Sequence, residues 1–364
     1  MKTSRQRTLL LITPYFWPAI GGLEHYAQTI AQGLSRRGWH VHIVTSGTQS
    51  ETITHQGLTI QRLKTSFTFF NTPVGLHWRR DIKRIISEIK PDIINLHAPV
   101  PSMALAGWWA AGRTPIVLTY HAGSMRKGRL AADVPIWLFE HLLLPQLLRR
   151  VQHIVASSEF VKQSFFSNWA QKTSVITPGV DSQRFASTPN HQTQTPFKLV
   201  FVGDARDPRK GLGVLLQSMA QLPDCHLHVI GHALNVMTPN VTYHGPLTGQ
   251  DLVQAYQSAD AVILPSTTNA ESFGMTLLEA MSCGRPVIGS NVGGIPTLLQ
   301  DGTNGLLVAP GDADALAKTI RRLIQDPSLA RKLGRTGRSL ALNQYDWDSR
   351  IAQTAAILEA NCHD

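Results

Sequence analysis

Two glutamates eight positions apart, Glu271 and Glu279, bound the segment ESFGMTLLE. Both carboxylates can accept hydrogen bonds from hydroxyl groups. The preceding DAVILPST, 260–267, has the composition of a buried strand with its loop. The following EAMSCGRPVI reads as the rest of a helix, a stop at Gly284, and another strand from Pro286. Glu271 therefore falls on a loop at the carboxyl end of a strand, and Glu279 falls inside the next helix. In open α/β sheets ligands bind in the crevice outside those carboxyl ends. The backbone N–H groups of Gly274 to Leu277 would point from the helix start toward the crevice, and they suit a phosphate. About five helical residues at ~1.5 Å each set Glu279 deeper along the same axis. One carboxylate can hold sugar hydroxyls and the other a ribose, with a diphosphate between them.

The elements that must position these groups are legible as apolar runs. Strands are expected at 8–13, 40–45, 92–97, 115–120, 152–156 and 173–177, with helical patterns between them at 22–37, 77–89, 101–112 and 158–168. Such alternation predicts a parallel sheet covered on both faces. The polar stretch STPNHQTQTP, 187–196, reads as a linker. The pattern restarts at FKLVFVGD, with strands expected at 198–203, 226–231, 260–264, 286–289 and 305–308. The fold class is α/β, with doubly wound domains at 1–186 and 197–346 and a last helix, about 347–364, packing back on the first.

Further residues fall where chemistry is possible. Gly21 and Gly22 follow the first strand and open the first helix, whose N-terminus favours an anion. Glu24 lies in that first turn, either as an acid complementing the helix dipole or as a binding residue. His121 ends the strand IVLTYH beside Ala122 and Gly123, so its side chain is expected in the crevice. Arg209 and Lys210 precede the helix LGVLLQSMAQL, and two cations beside a helix start suit a diphosphate. Asp312–Ala313–Asp314 imitates a metal-binding DxD, but it opens a helix, and helix capping is the better reading. No His, Cys and Asp cluster has metal-ligand spacing.

The chain has 364 residues, enough for two domains with real cores. Hydrophobic residues make up 43% and charged residues 16%, a globular balance. Cys225, Cys283 and Cys362 are too far apart for a disulfide framework, which fits a reducing cytoplasm. No apolar run reaches about 18 residues, so no membrane span is expected, and the N-terminal run is too short for a signal peptide. Residues 1–185 hold 21 Lys and Arg against 9 Asp and Glu, so the first half carries all of the net +10. That asymmetry points to an anionic partner. Its candidates are Arg79, Arg80, Lys83 and Arg84, then Arg126, Lys127 and Arg129, then Arg149 and Arg150. For these clusters the favoured reading is contact with an anionic membrane or acceptor. For the apolar helix 131–150 the favoured reading is an ordinary core helix, with a membrane-surface helix as the alternative. A pI of about 9.8 raises nucleic-acid binding, but no basic stripe with stacking aromatics or reading helix accompanies it.

The E-x7-E segment resembles the retaining glycosyltransferases of the GT-B fold, family 4 in particular. PYFWPAIGGLEHYAQTIAQGLSRRGWHVHIVT, TYHAG, DPRKGLGVLLQSMAQLP and SNVGGIPTLLQDGTNGLLVAPGDADALAKTI extend the resemblance over nearly the whole chain. It implies two Rossmann-like domains facing across a cleft, an N-terminal domain that binds the acceptor and a C-terminal domain that binds the donor. It implies no cofactor, only a UDP- or GDP-linked sugar as co-substrate; metal-independent catalysis is expected from the lack of a metal-ligand cluster, with lysine and helix termini supplying the electrostatics. Glu271 would then hold donor-sugar hydroxyls, Glu279 the ribose, and Lys210 with Arg209 the diphosphate. Ser272, Phe273, Gly274, Met275 and Thr276 would line the sugar and phosphates, and Gly21 and Gly22 would approach the donor. His121 would approach the transferred sugar, and Glu24, Arg126 and Lys127 the acceptor. Many members carry Arg directly after the glycine matching Gly203. This chain has Asp204 there, and Arg206 is the candidate replacement. The expected acceptor is lipid-linked, in cell-surface polysaccharide or glycolipid assembly at the inner leaflet. A small soluble acceptor such as a sugar phosphate is the alternative, and a non-catalytic sugar-nucleotide binder is a remote one.

Overall fold

Runs such as Leu9–Ile12 bury every side chain, and a strand with no exposed face belongs inside a parallel sheet. The structure is a computed structural model and describes residues 6–19, 21–69, 72–123, 125, 130–188, 191–232 and 238–362. Chain contacts divide it into a first unit, Met1–Thr177 with Asp348–Asp364, and a second unit, Pro178–Trp347.

The strands of the first unit are β1 (Thr8–Ile12), β2 (His40–Gly47), β3 (Glu51–His55), β4 (Leu58–Lys64), β5 (Phe67–Phe69), β6 (Thr72–Val74), β7 (Ile93–Ala98), β8 (Ile116–Tyr120), β9 (His153–Ala156) and β10 (Thr173–Val175). Eight of them form one sheet in the order β10-β9-β8-β7-β1-β2-β4-β3, and β5 and β6 form a separate hairpin. Its helices are α1 (Gly22–Arg36), α2 (Trp78–Ile89), α3 (Pro101–Ala110), α4 (Leu130–Leu138), α5 (Leu144–Arg150) and α6 (Glu159–Phe166), with a π-helical turn over Phe139–Leu143. The sequence suggested nothing at 51–74. Strand β3 pairs antiparallel with β4 at the sheet edge, and its alternating half-exposed ETITH lacks an apolar run.

The segment 131–150 meets the core-helix expectation on one face only. Phe139, Leu147 and Leu148 are buried, whereas Trp137 is 46% and Leu142 54% exposed.

The second unit has β11 (Phe197–Val202), β12 (Cys225–Ile230), β13 (Val241–Tyr243), β14 (Ala261–Leu264), β15 (Val287–Ser290) and β16 (Leu306–Val308). They form an all-parallel sheet in the order β13-β12-β11-β14-β15-β16. Its helices are α7 (Leu212–Met219), α8 (Gly249–Gln257), α9 (Met275–Ser282), α10 (Ile295–Leu298), α11 (Ala313–Gln325) and α12 (Pro327–Gln344). Helix α13 (Trp347–Ala360) follows.

The expected boundary, with 187–196 as a linker between domains ending at 186 and starting at 197, is corrected: the division falls at Thr177/Pro178. The polar stretch is tied into the second unit. The buried Asp260 carboxylate accepts from the backbone N–H of Gln194 and Lys198 (3.2 and 2.7 Å) and pairs with the His191 ring at 2.8 Å. Ahead of it, Gln257 donates to the Ala186 carbonyl at 2.7 Å and Ser282 to the Phe185 carbonyl at 2.9 Å. Polarity there serves hydrogen bonds to a buried acid rather than solvation of a free linker.

Residues 348–362 of α13 and beyond belong to the first unit. The Tyr26 hydroxyl of α1 bonds Thr354. Gly33 lets the helices meet, since a Cβ there would lie 2.3 Å from Ile351 Cδ1.

Candidate active site

In the second unit the turns at the carboxyl ends of β11, β14 and β15 are bound to one another. The turn after β11 ends in Gly211 at φ 77°, where a Cβ would lie 1.7 Å from the Pro265 carbonyl oxygen. Only glycine permits both the left-handed conformation and that approach. The Thr267 N–H then donates to the Arg209 carbonyl at 2.9 Å. From the other side, the Gly294 N–H donates to the Glu271 carbonyl at 2.8 Å. A side chain at Gly294 would strike the Ser272 carbonyl oxygen at 1.8 Å.

This clamping brings Lys210 and Glu271, 61 residues apart in sequence, into an ion pair of 2.7 Å between Nζ and Oε2. The side chains are 34% and 12% exposed. Burial opposes the ammonium charge, but the Glu271 carboxylate, with Asp207 beyond it, more than offsets that and holds the Lys210 pKa above its ordinary value. Helix α9 starts directly after Glu271, Ser272 and the buried Phe273, with Gly274 as an N-cap that has no side-chain bond to give. Its first-turn N–H groups at Met275 and Thr276 are thus uncapped by a side chain, and the Thr276 hydroxyl is buried without a hydrogen-bond partner among the described residues. An anion is the natural complement of such a helix start.

Glu279 lies one turn further along α9. The fully buried Tyr256 of α8 donates its hydroxyl to Glu279 Oε2 at 2.7 Å. Burial pushes the Glu279 carboxyl up to about 7, against the Tyr256 hydrogen bond and the Arg184 charge, which favour ionisation.

The two arginines behave differently from the lysine. Arg209 forms a two-pronged pair with Asp207, Nε–Oδ1 2.9 Å and Nη2–Oδ2 2.7 Å. Arg206 forms the same pattern with Asp204 at 2.9 Å on each prong. The Arg206 guanidinium holds the Asp204 carboxyl below its usual range. The two cations expected beside this helix start, Arg209 and Lys210, are thus paired differently here, Arg209 with its neighbour Asp207 and Lys210 with Glu271. Asp204 and Asp207, each two residues ahead of its arginine, neutralise both guanidinium groups locally, and Arg206 neutralises Asp204 rather than acting as an independent cation.

Asp312 caps α11, accepting from the Ala315 N–H at 2.8 Å, and Asp314 accepts from Gln221 at 2.6 Å. Among the described residues no group of three or more His, Cys, Asp or Glu is placed to hold a metal ion.

In the first unit the glycines open α1 as expected: Gly21 is its N-cap and Gly22 its first residue, both exposed. The Glu24 side chain folds back over Gly21, where a Cβ would lie 2.3 Å from its Oε2. Burial raises the Glu24 pKa. Two residues on, the buried Tyr26 ring meets the His121 ring edge-on, with centroids 4.6 Å apart. His121 follows β8, and its ring touches His97 of β7, which bonds in turn to Asn95. Arg126 and Lys127, expected near an acceptor, lie outside the described residues, as does Arg129. Arg150 is committed locally, donating to the Gly112 and Thr114 carbonyls at 2.9 and 3.1 Å.

Two family models match in succession: residues 20–184 match Glycosyltransferase Family 4, and residues 196–326 match Glycosyl transferases group 1. The chain belongs to this glycosyltransferase family. The O-antigen chain mannosyltransferase C of Escherichia coli is 29% identical to it over 366 residues, covering 95% of this chain and 96% of that protein. The phosphatidyl-myo-inositol mannosyltransferase of Mycolicibacterium smegmatis is 26% identical over 378 residues, covering 96% and 92%. Among solved structures, sucrose-phosphate synthase from Thermosynechococcus elongatus superposes with a TM-score of 0.84 at 22% identity, covering 98% of this chain and 99% of that one. Anabaena Alr3699/HepE in complex with UDP and glucose gives 0.78 at 20% identity, covering 98% and 100%. These likenesses establish a GT-B fold of two Rossmann-like domains for this glycosyltransferase.

The residues that sequence reasoning missed in the glycosyltransferase are Tyr256, Asn95 and His97. Asn95 and His97 did leave a signal: polar residues at alternating positions of the otherwise apolar IINLHA place two polar groups on one face of a buried strand. Tyr256 left none, because its ring serves the core while its hydroxyl serves the site.

Proposed function

We propose that the protein moves a hexose, with retention, from a UDP- or GDP-linked donor to a lipid-linked acceptor in cell-surface polysaccharide or glycolipid assembly. The observation that carries the donor half is the Lys210–Glu271 pair beside the uncapped start of α9, with Glu279 one turn beyond. In this reading the second unit binds the donor. Lys210 and the N–H groups of α9 hold the diphosphate, Glu271 holds sugar hydroxyls, and Glu279 holds the ribose. His121 of the first unit contacts the transferred sugar. The bond from the anomeric carbon to the phosphate oxygen breaks with its electron pair leaving on that oxygen. The acceptor hydroxyl attacks from the same face and passes its proton to the departing phosphate. Glu271, already engaged by Lys210, is poorly disposed to act as the nucleophile of a double displacement. No cofactor is needed, and Lys210 with the helix start supplies the electrostatic stabilisation without a metal. Incubation with a nucleotide-sugar panel, with and without EDTA, tests this: turnover with one donor, retained anomeric configuration and indifference to EDTA are expected. An inverted product, or activity that vanishes in EDTA and returns with Mn²⁺, would contradict it.

Donor binding should depend on pH. Glu279 holds its proton up to about 7, above the ordinary 4.5 of a glutamate. A carboxylate is the better acceptor for two ribose hydroxyls, so nucleoside diphosphate affinity should rise between about pH 6 and about pH 8 with proton release on binding. The same shift works against the ligand-free fold: the folded chain binds more protons than the unfolded one, so its stability falls as pH rises from about 4.5 to about 7. In Tyr256→Phe the affinity midpoint should move to higher pH, because a bond favouring the charged form is gone. Calorimetry in buffers of different ionisation enthalpy reads both, and a pH-independent affinity would remove Glu279 from the ribose site.

The acceptor half rests on the names of the two mannosyltransferase relatives and on the surface of the first unit. Arg79, Arg80, Lys83 and Arg84 are exposed on α2. The exposed large apolar residues of this unit include Phe67, Phe69, Leu76, Trp109, Trp137 and Leu142. Cations with aromatic and aliphatic side chains suit the interface of an anionic bilayer. Among the described residues no helix is long and apolar enough to cross a membrane, so attachment would be peripheral, at the inner leaflet. Flotation with anionic vesicles, weakening as salt rises, and none with neutral vesicles are the expected results. Absence of flotation with both would shift the reading to a small soluble acceptor such as a sugar phosphate, the chemistry that the name sucrose-phosphate synthase denotes.

A further inference from the structure

A chain of hydrogen bonds in the first unit has a determinate direction. Asn95, fully enclosed on β7, donates through Nδ2 to the Val117 carbonyl at 3.0 Å and to the Thr119 hydroxyl at 2.9 Å. A carbonyl oxygen only accepts, so the amide N must lie on that side and Oδ1 on the other. Oδ1 faces His97 Nε2 at 2.9 Å, which makes Nε2 the protonated nitrogen of His97. In a neutral ring Nδ1 is then a lone pair, and His121 Nε2 lies 3.2 Å from it. His121 must therefore carry its proton on Nε2, and its Nδ1 is the ring's acceptor.

We propose that Asn95 and His97 are positioning residues that fix His121 as the neutral Nε2–H tautomer, so that at the transferred sugar it accepts a hydroxyl hydrogen and cannot donate a proton. The role at the sugar rests on the reading of His121 given above; the tautomer does not. Among the described residues, the titratable groups whose rings meet the His121 ring are His97 of β7 and Tyr26 of α1. Protonating His97 would turn its Nδ1–H toward the Nε2–H of His121 and break the chain of bonds, whereas a proton added to His121 would go to Nδ1, the acceptor it offers the sugar. Burial acts in the same direction, lowering His121 to about 3 and His97 well below its ordinary value, the latter helped by His121 itself. Thr119, buried between the strands, takes the second Asn95 hydrogen, while the Val117 carbonyl, which can only accept, keeps the amide from flipping. The Tyr26 hydroxyl is turned to Thr354, so its ring rather than its O–H meets His121.

The test is the nitrogen NMR spectrum of the full chain with labelled histidine, His121 being assigned by loss of its signals in His121→Asn. A protonated Nε2 and bare Nδ1 are expected throughout about pH 5 to about pH 9. His97→Gln keeps a donor toward Asn95 and an acceptor toward His121, so the tautomer should persist and kcat/KM should fall by less than about threefold. His97→Leu removes the acceptor. His121 should then mix tautomers and titrate, and kcat/KM should gain an acid limb with a loss of about tenfold or more near pH 6. Should His97→Leu not fold, Asn95→Asp serves: its carboxylate charges His97, whose Nδ1–H then drives His121 to the Nδ1–H form. A wild-type His121 protonated on Nδ1, His97→Leu and His97→Gln with the same His121 signals, or Asn95→Asp with unchanged ones would overturn the proposal. The expected spectra with kcat/KM unmoved would place the failure in the reading of His121 as a sugar contact, and the positioning role would fall with it.

Discussion

Glu271→Ala should lower transfer by at least about a hundredfold, the scale on which a single well-placed electrostatic contact acts in a transition state. The residue sits on a loop, its backbone held by Gly294 and its carboxylate by Lys210. Neither the apolar core of the second unit nor any helix depends on that side chain, so the melting temperature should move by no more than about 4 °C. Initial rates and a melting curve on one preparation check both halves. Activity within a few-fold of the parent, with normal melting, would remove Glu271 from catalysis. Glu271→Gln separates two contributions: it keeps hydrogen bonding to hydroxyls but leaves Lys210 without its counter-charge. A rate nearer the parent than to Glu271→Ala would make hydroxyl binding the larger part.

The second expectation contrasts cations. Lys210→Ala should weaken nucleoside diphosphate binding by about 10- to 150-fold, corresponding to ~1.5–3 kcal/mol for a charge-assisted hydrogen bond. Arg206→Ala and Arg209→Ala should cost less than about fivefold each. Their guanidinium groups already satisfy Asp204 and Asp207, so a diphosphate would have to displace those carboxylates before gaining anything. Titration calorimetry of the three variants gives the order directly. An Arg209 effect equal to that of Lys210 would mean that the Asp207 pair opens on binding.

How much of this was legible in the chain depended on what each residue had to do. The buried parallel strands were readable because both their faces are apolar, as in Leu9–Ile12 and Ala261–Leu264. The edge strand Glu51–His55 was not, because one solvated face breaks the apolar run. The lysine and the glutamate of the site were each visible, but their pairing across 61 residues needed the glycine-closed turns that only the fold supplies. The arginine pairs show the converse. DARDPR holds Asp and Arg two apart twice over, a local arrangement that sequence could have yielded. It was overlooked because cations near a helix start suggest a ligand before they suggest a neighbour. The direction of the Asn95–His97–His121 bonds could not be read in advance, since spacing says which side chains share a face but not which nitrogen meets which oxygen.

Helix α13 has a consequence for how the molecule is made. It completes the first unit, with Thr354 on the Tyr26 hydroxyl and Ile351 in the gap left by Gly33. Yet it is translated after the whole of the second unit. On a ribosome, the unit whose synthesis begins first is therefore finished last, and the α13-facing side of α1 must wait uncovered while the rest of the first unit's leading segment and then the whole second unit, Pro178–Trp347, are made. Nascent chains stalled before residue 347 should hold a protease-resistant second unit beside a first unit that is still cut readily.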